Sequence, residues 1–312
     1  MKILKKIKSF LKQFYLIRFF HLYLRQLYLK TFYSSTKAKE KYIKKQFKKY
    51  LGYEIDFNRE PETFNQKIQF RKLYDDNPLY SICADKYRVR EYVKEKIGEE
   101  YLIPLYLVTD KLTEEQWDKL PNSFVAKANH DSGTVKIIKD KNKVDKKKII
   151  KELNMSLKFD YGVLSMEKYY SDIPRKIVVE KYLGDNIQDY KFHYFSIIED
   201  DKMFLQIDGD RFIGHKRSIY DENLEKLPLK FVSKYPKLEM NMKELINKEK
   251  LEKMKEIVKK LGEDFNYSRI DLYLINEKIY FGEITFCAES GFGDFEPVEW
   301  DYKFGSYWKK KL

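Results

Sequence analysis

The sequence predicts an α+β protein of several subdomains, with antiparallel strand pairs predominating in its second half. Three observations predict this fold class. Apolar and polar residues alternate with the two-residue period of strands in stretches such as 122–140, 189–198 and 269–286. Charged amphipathic helices separate them, the clearest at 248–262. The chain of 312 residues includes 26 tyrosines and 22 phenylalanines, enough apolar bulk for a substantial core.

The first 50 residues form a basic segment that we predict to be helical, with a break near Ser34 and Ser35. They hold fifteen Lys or Arg and one acid, Glu40; of the totals of 62 and 49, this leaves 47 basic and 48 acidic groups elsewhere. Because the basic excess is confined to the first 50 residues and the rest of the chain is nearly neutral, the charge argues against a nucleic-acid-binding groove. It indicates that the N-terminal segment binds a surface. Lysines and apolar residues occupy opposite helix faces: Lys2, Lys5, Lys8 and Lys12 against Ile3, Leu4, Ile7 and Leu11.

Such a helix suits a membrane interface, and residues 1–50 are therefore expected to contact a membrane surface. The alternative is a helix that packs on the protein's own body or on a partner. No signal peptide or membrane-spanning stretch is recognisable, because Arg18, His21 and Arg25 interrupt the apolar run. Cys83 and Cys287 match no metal-ligand spacing. We expect a reduced, cytoplasmic protein, peripheral on the inner face of the cytoplasmic membrane.

The following elements are predicted from local signals, in chain order. Residues 53–80 are mixed, with turns at Glu60-Pro61 and Asn77-Pro78, and a helix begun by Asp85 and ended by Gly98 follows. The remaining predictions are a strand at 101–110, a short helix at 112–121, two strands around a polar turn within 122–140, a charged helix at 141–158, a buried strand at 176–184 ending in a loop at Gly184-Asp185-Asn186, strands at 189–198 and 202–208, a helix at 248–262 and a hairpin at 269–286.

The hairpin carries one acid in each arm, Asp271 and Glu283. If its turn leaves residues 276–278 unpaired, Ile275 faces Ile279, Asp271 lies opposite Glu283, and Arg269 lies opposite Thr285. Cross-strand Cβ atoms are about 5 Å apart, so the two carboxylates would repel unless a cation lies between them. Magnesium, which prefers oxygen ligands, suits such a pair. The alternative is an edge hairpin whose acids pair with nearby lysines.

Three other stretches carry candidate binding residues. Lys127 emerges from an apolar strand beside the polar turn Asn129–Gly133, where a lysine and backbone N–H groups could hold phosphate. Glu180 and Lys181 end a fully apolar strand, where backbone could contact an adenine edge. Asp189 and Lys191 alternate along one strand and so share a face. Each stretch has an ordinary structural explanation when it is taken alone.

In this order, the stretches resemble the ATP-grasp superfamily, and in particular the D-alanine–D-alanine ligases. The resemblance implies an ATP-grasp fold, in which two α/β subdomains hold ATP between them, with the basic helical extension added. The implied segments are 1–52 (extension), 53–120 (N-terminal α/β region), 121–184 (small subdomain) and 185–312 (large subdomain with the metal site).

The resemblance also implies roles for individual residues. Lys86, following Asp85 and preceding Arg90, matches a phosphate-binding lysine, as does Lys127. Asp271 and Glu283 match the two magnesium acids, and Thr285 stands where an asparagine ligand is usual. Arg269 matches the arginine that stabilises developing charge. The implied ATP contacts are Lys86, Lys127, Asn129, Ser132, Gly133, Glu180, Lys181, Tyr182, Leu183, Asp189 and Lys191.

A narrower resemblance, to the TupA-like ATP-grasp family, extends over residues 55–308. It is carried by PETFNQKIQF, ADKYRVREYV, AKANHDSG, DYKFHYF, FGEITF, SGFGDFEP and WDYKFGSYW. In that family Thr285 is the expected residue. Its members are associated with teichuronopeptides and capsular polysaccharides of the bacterial cell surface. The implied activity is an ATP- and Mg²⁺-dependent ligase that joins an amino acid or other amine to a uronic-acid carboxyl of a glycan or lipid-linked precursor.

Two rival functions stay open from the sequence. One is a glycosyltransferase of the same pathway, which would use a nucleotide-sugar and the same acids. The other is a kinase-like or non-catalytic ATP-grasp protein. Beyond the main motifs, His130 is expected to be a solvated loop residue or a phosphate donor, and His193 shares the face of Asp189 and Lys191. Glu289 and Asp294, in a glycine-containing loop, are candidate contacts for the acceptor or the amine.

Overall fold

The computed structural model describes residues 15–185, 187–197, 201–209, 214–239, 242 and 246–309. The predicted lysine face at residues 2–12 and Asn186 lie outside these ranges. The helices are α1 (Tyr15–Phe32), α2 (Thr36–Leu51), α3 (Phe64–Tyr74), α4 (Leu79–Cys83), α5 (Val89–Ile97), α6 (Glu114–Lys119), α7 (Lys146–Ser156), α8 (Tyr161–Ser165), α9 (Lys248–Gly262) and α10 (Glu299–Tyr307), with short 3₁₀ turns at Glu99–Tyr101, Lys141–Lys143, Lys168–Tyr170 and Ala288–Gly291.

The strands are β1 (Leu105–Thr109), β2 (Phe124–Ala128), β3 (Val135–Ile138), β4 (Ile177–Lys181), β5 (Gln188–Phe195), β6 (Lys202–Gly209), β7 (Lys216–Tyr220), β8 (Lys230–Phe231), β9 (Tyr267–Ile275), β10 (Lys278–Thr285) and β11 (Phe295–Glu296). The α+β class is thereby confirmed, as is the helical break at Ser34 and Ser35. The boundaries of several elements were predicted wrongly. The helix expected from Asp85 begins at Val89, the strand expected at 101–110 begins at Leu105, and the charged helix expected at 141–158 begins at Lys146 after a 3₁₀ turn.

Side-chain caps explain where several helices begin. Thr63 and Gln66 form a capping box at α3, and Thr113 and Gln116 form one at α6. Asn247 caps α9 by accepting a hydrogen bond from the Lys250 N–H. Gly98, with φ of 106°, ends α5 in a conformation that side chains rarely adopt.

The chain divides into two compact units, each made of discontinuous stretches. The first comprises the chain up to Tyr42 and Pro104–Tyr182, and the second comprises Ile43–Ile103 and Leu183–Leu312, so the boundary falls inside α2. The division into four consecutive segments, implied by the resemblance, stays a prediction.

In the first unit, four antiparallel strands form a sheet in the order β1-β4-β2-β3. Helices α6 and α7 cover its inner face, where Trp117, Phe124 and Leu153 are almost fully buried. The rings of Trp117 and Phe124 meet edge to face, with centroids 5.0 Å apart. Burial of this apolar layer holds β2 and β4 in place, and with them Lys127 and Glu180.

In the second unit, five antiparallel strands form a sheet in the order β10-β9-β5-β6-β7. Helix α9 covers one face so closely that a Cβ at Gly262 would lie 2.3 Å from a ring carbon of Tyr194. One end of the opposite face is buried under an aromatic cluster in which Phe64 of α3 packs against Tyr267 and Phe304, with ring centroids 4.9 and 6.0 Å away. Beyond this cluster, the same face becomes polar.

Candidate active site

The β9–β10 hairpin brings the four predicted polar residues together by a route that differs from the prediction. The turn leaves two residues unpaired, not three: Asn276 and Glu277 both have left-handed φ, and Ile275 pairs with Lys278. A β-bulge at Gly282 then adds one residue to β10. The two differences cancel, so the predicted pairs Asp271 with Glu283 and Arg269 with Thr285 are observed.

Arg269 lies at the centre of this cluster and contacts the other three side chains. Its Nε donates to Asp271 Oδ1 at 2.7 Å, and one terminal nitrogen contacts Asp271 Oδ2 at 2.9 Å, Glu283 Oε1 at 3.0 Å and Thr285 Oγ1 at 3.0 Å. Arg269 and Asp271 are buried, whereas 42% of the Glu283 side chain is exposed. The fork geometry of the guanidinium fixes the spacing of the two carboxylates.

Lys191 of β5 adds a second cation on the same face. Its Nζ lies 2.6 Å from Asp189 Oδ2 and also donates to Asp271. Burial alone would raise the pKa of Asp271, but the charges of Arg269 and Lys191 outweigh it and hold that pKa below its ordinary value. Asp271 is therefore a carboxylate at neutral pH, as a cation ligand must be.

The polar face continues across β6 and β7 through Gln206, Asp208 and Arg217, which were not predicted from the sequence. His193 Nε2 lies 3.0 Å from Gln206 Oε1, and Gln206 donates to Asp208 at 2.9 Å. Arg217 of β7 contacts Asp208 at 2.6 Å and Glu289 at 2.7 Å. Alternation in KMFLQID places Gln206 and Asp208 on one face, and this signal could have identified them.

The His193 side chain is fully buried, and both of its ring nitrogens have hydrogen-bond partners. Nδ1 lies 2.9 Å from the Tyr267 hydroxyl. Burial lowers the pKa of His193 to about 3, although the hydrogen bond to Gln206 opposes this. The ring is neutral at physiological pH. It joins the aromatic cluster to the polar face without adding charge there.

These residues fit magnesium only if water and phosphate complete its coordination shell. Within the described part of the chain, no group of three or more His, Cys, Asp or Glu side chains is arranged to hold a metal. Asp271, Glu283 and Thr285 nevertheless offer hard oxygen donors, and the Glu283 carboxylate is accessible. Magnesium is commonly held by one or two carboxylates, with water and substrate phosphates completing its shell. The donor set fits a metal that arrives with phosphate.

In the first unit, the structure brings together Lys127 and Glu180. Lys127 Nζ lies 2.5 Å from Glu180 Oε2, because the residues are diagonal neighbours on β2 and β4. Glu180 is buried, whereas Lys181 is exposed. The strand end at Lys181 is held by a hydrogen bond from its N–H to the Pro104 carbonyl at 2.9 Å.

The polar turn after β2 differs from the prediction in one respect. His130 was expected to be solvated, but it is fully buried and its Nε2 lies 3.1 Å from the Phe159 carbonyl. Asn129 is also buried, and its amide bonds the backbone of Pro174 and Lys176 at 2.8 and 2.7 Å. Ser132 and Gly133 form the exposed tip. The turn's first two residues therefore anchor it, and its tip is the accessible part.

The remaining predicted residues have the following places. Lys86 is half-buried in the turn before α5, and Tyr182 and Leu183 follow β4 on either side of the unit boundary. Glu289 has a left-handed φ of 48° and binds Arg217, while Asp294 accepts a hydrogen bond from the Ser233 N–H at 3.2 Å. The ATP, metal and catalytic roles of all these residues stay predictions.

Comparisons with known proteins give one family assignment. The family model described as TupA-like ATPgrasp matches residues 66–309. No curated protein matches the chain.

Among solved structures, a D-alanine–D-alanine ligase from Helicobacter pylori is 17% identical with a TM-score of 0.46, and the match covers 79% of this chain and 69% of that one. N5-carboxyaminoimidazole synthetase from Staphylococcus aureus, complexed with ADP, is 15% identical with a TM-score of 0.37 over 65% of this chain and 44% of that one. An L-amino acid ligase from Bacillus licheniformis is 14% identical with a TM-score of 0.41, and the match covers 73% of this chain and 49% of that one. This chain thus spans less than half the length of the last two.

Proposed function

The chain belongs to the TupA-like ATP-grasp family, and from that premise we propose that it is an ATP- and Mg²⁺-dependent ligase that joins a carboxylate to an amine. The observation that carries the proposal is the cluster on β9 and β10, where Arg269 holds the buried Asp271, the partly exposed Glu283 and a hydroxyl together. Lys191 and Asp189 complete the cluster from β5.

The charge of the cluster favours a cationic ligand. Arg269 and Lys191 supply two positive charges, whereas Asp189, Asp271 and Glu283 supply three negative ones. When bound, magnesium would supply Lewis-acid stabilisation of phosphate charge, held by Asp271, Glu283 and the Thr285 hydroxyl. Arg269 and Lys191 already lie beside these acids, where they would neutralise the remaining charge of a triphosphate.

In the proposed reaction, a substrate carboxylate oxygen attacks the γ-phosphorus of ATP, and the bond to the ADP oxygen breaks. The resulting acyl phosphate is attacked at its carbonyl carbon by an amine. Phosphate leaves, and the amine nitrogen loses a proton. The contribution of Arg269 is a fixed donor where negative charge develops, and removal of one such donor typically costs about 3 kcal/mol in the barrier.

We assign the substrates from the family resemblance described above. A uronic-acid carboxyl of a cell-surface glycan or its lipid-linked precursor would be the acceptor, and an amino acid would be the amine. The pathway would be bacterial capsule or cell-surface polysaccharide synthesis.

ATP binding is tested by thermal unfolding of the full chain with Mg²⁺, comparing ATP with UDP-sugars. A ligand at 100 times its Kd stabilises a protein by about 2.7 kcal/mol, which raises the midpoint measurably. We expect a shift with Mg²⁺ and ATP that is lost in Glu283→Gln. Because the Glu283 side chain is partly exposed, this variant should keep the midpoint of the free protein. A shift with UDP-sugars alone would contradict the proposal and favour a glycosyltransferase.

A further inference from the structure

Helix α1 presents an apolar face that is largely exposed in the described part of the chain. Its exposed large side chains are spaced so that they fall on one broad side of the helix, and between 42% and 63% of each is accessible: Ile17, Phe20, Tyr23, Leu24, Leu27, Tyr28 and Phe32. Exposed apolar residues are normal when they are scattered singly, but a contiguous stripe along a helix indicates an interaction site.

The opposite side of α1 is fixed to its own unit. Gln26 accepts a hydrogen bond from the Asp160 N–H at 2.6 Å, and Arg25 donates to the Leu164 carbonyl at 3.1 Å. The Phe19 ring lies 4.2 Å from that of Phe159, and Leu29 is almost fully buried. The orientation of the helix is therefore set by α8 and the loop before it, and the apolar stripe is held facing outward.

The segment that carries the stripe is basic. Helix α1 contains Arg18, Arg25, Lys30 and no acid, and Lys37 and Lys41 are exposed at the start of α2. A pocket of about 210 Å³ beside the end of α1 is lined by further lysines, Lys39 and Lys168, with Lys30. The basic charge thus lies next to apolar and aromatic side chains, which is the composition of helices that lie in a membrane interface.

We propose that the outward face of α1 docks on an anionic membrane surface, with Lys39 and Lys168 contacting lipid phosphate. The charge excludes a second copy of this chain as the preferred occupant, because residues 1–50 carry fifteen basic groups against one acid and two copies would repel. Within the described residues, no helix is long and apolar enough to cross a membrane, so α1 lies on the surface rather than spanning it. The inference goes beyond the ligase proposal and needs no ATP.

Vesicle co-sedimentation of the full chain, without nucleotide, tests the proposal. We expect binding to phosphatidylglycerol vesicles that weakens as salt is raised, and much weaker binding to phosphatidylcholine vesicles. Replacing Phe20, Leu24 and Leu27 together by Gln should weaken binding at least about tenfold, because their apolar area enters the interface. Lys39→Gln and Lys168→Gln should each weaken it about fivefold.

A matched control separates the α1 face from general surface hydrophobicity. Ile137, Val298 and Tyr302 are exposed to similar extents, at 52%, 46% and 48%, and replacing all three by Gln should leave vesicle binding unchanged. Both triple variants should keep the thermal midpoint of the wild type, since the changed side chains are largely exposed. Failure of the wild type to bind phosphatidylglycerol vesicles, or equal binding by the α1 variant, would overturn the proposal. So would a dimer in sedimentation velocity that the α1 variant abolishes while vesicle binding persists.

Discussion

Replacing Arg269 by Met should destabilise the protein by about 3–5 kcal/mol, because the change removes the cation paired with the buried Asp271 and the partly exposed Glu283. Met has a similar length, so the loss is mainly electrostatic. Asp271, which is 1% exposed, would keep Lys191 as its partner but lose both hydrogen bonds to the guanidinium. The measurement is the free energy of unfolding from denaturant titration.

Arg59→Met is the matched control for this change. The Arg59 side chain is 86% exposed and its nearest acid, Asp56, is 3.6 Å away, so water screens the pair and the unfolding midpoint should stay unchanged. Equal midpoints for Arg269→Met and Arg59→Met would show that the Arg269 cluster does not stabilise the fold.

Gly305→Ala should destabilise the second unit by about 1–3 kcal/mol. The atoms that the added methyl group would meet are backbone atoms, which cannot rotate away as a side chain could. A Cβ at Gly305 would lie 2.1 Å from the Glu62 carbonyl oxygen and 2.8 Å from the Thr63 carbonyl carbon. Thr63 caps α3, so this backbone is held in place by the helix that it begins. Helices α3 and α10 approach each other closely only because residue 305 has no side chain.

Gly214→Ala serves as the control, because no atom of the described residues is found within 4 Å of the Cβ that it would add. Its unfolding midpoint should match that of the wild type. A wild-type midpoint for Gly305→Ala as well would contradict the close approach of α10 to α3.

The polar face of the β9–β10 hairpin could be predicted because strand alternation is a strong constraint. Alternation places Asp271 and Glu283 on the face of Arg269 and Thr285, and a register slip by one residue would move the acids to opposite faces. The turn was predicted one residue too long, because two successive residues with positive φ, one of them Glu277, are unusual without glycine. The bulge at Gly282 could not be predicted from local pattern either, since it follows from pairing with β9.

Other features depend on tertiary contacts that the sequence does not display. The His130 ring is buried because Phe159, 29 residues later, supplies its carbonyl partner. The Asn129 amide completes the pairing of β2 with the chain before β4, so its polarity serves the fold. Asp208 and Arg217 were not predicted because they lie on separate strands, and only the pairing of β6 with β7 places them opposite each other.

The central claim, that the chain activates a carboxylate with ATP, is tested most directly by trapping the acyl phosphate with hydroxylamine. The full chain is incubated with Mg²⁺, ATP and a panel of uronic acids, and hydroxamate and ADP are measured. Hydroxylamine replaces the unidentified amine, so only the carboxylate partner has to be found. We expect hydroxamate and ADP in equal amounts, dependent on ATP, Mg²⁺ and one class of uronic acid, and abolished in Glu283→Gln. ADP formation with a phosphorylated sugar and no hydroxamate would contradict the ligase and indicate a kinase.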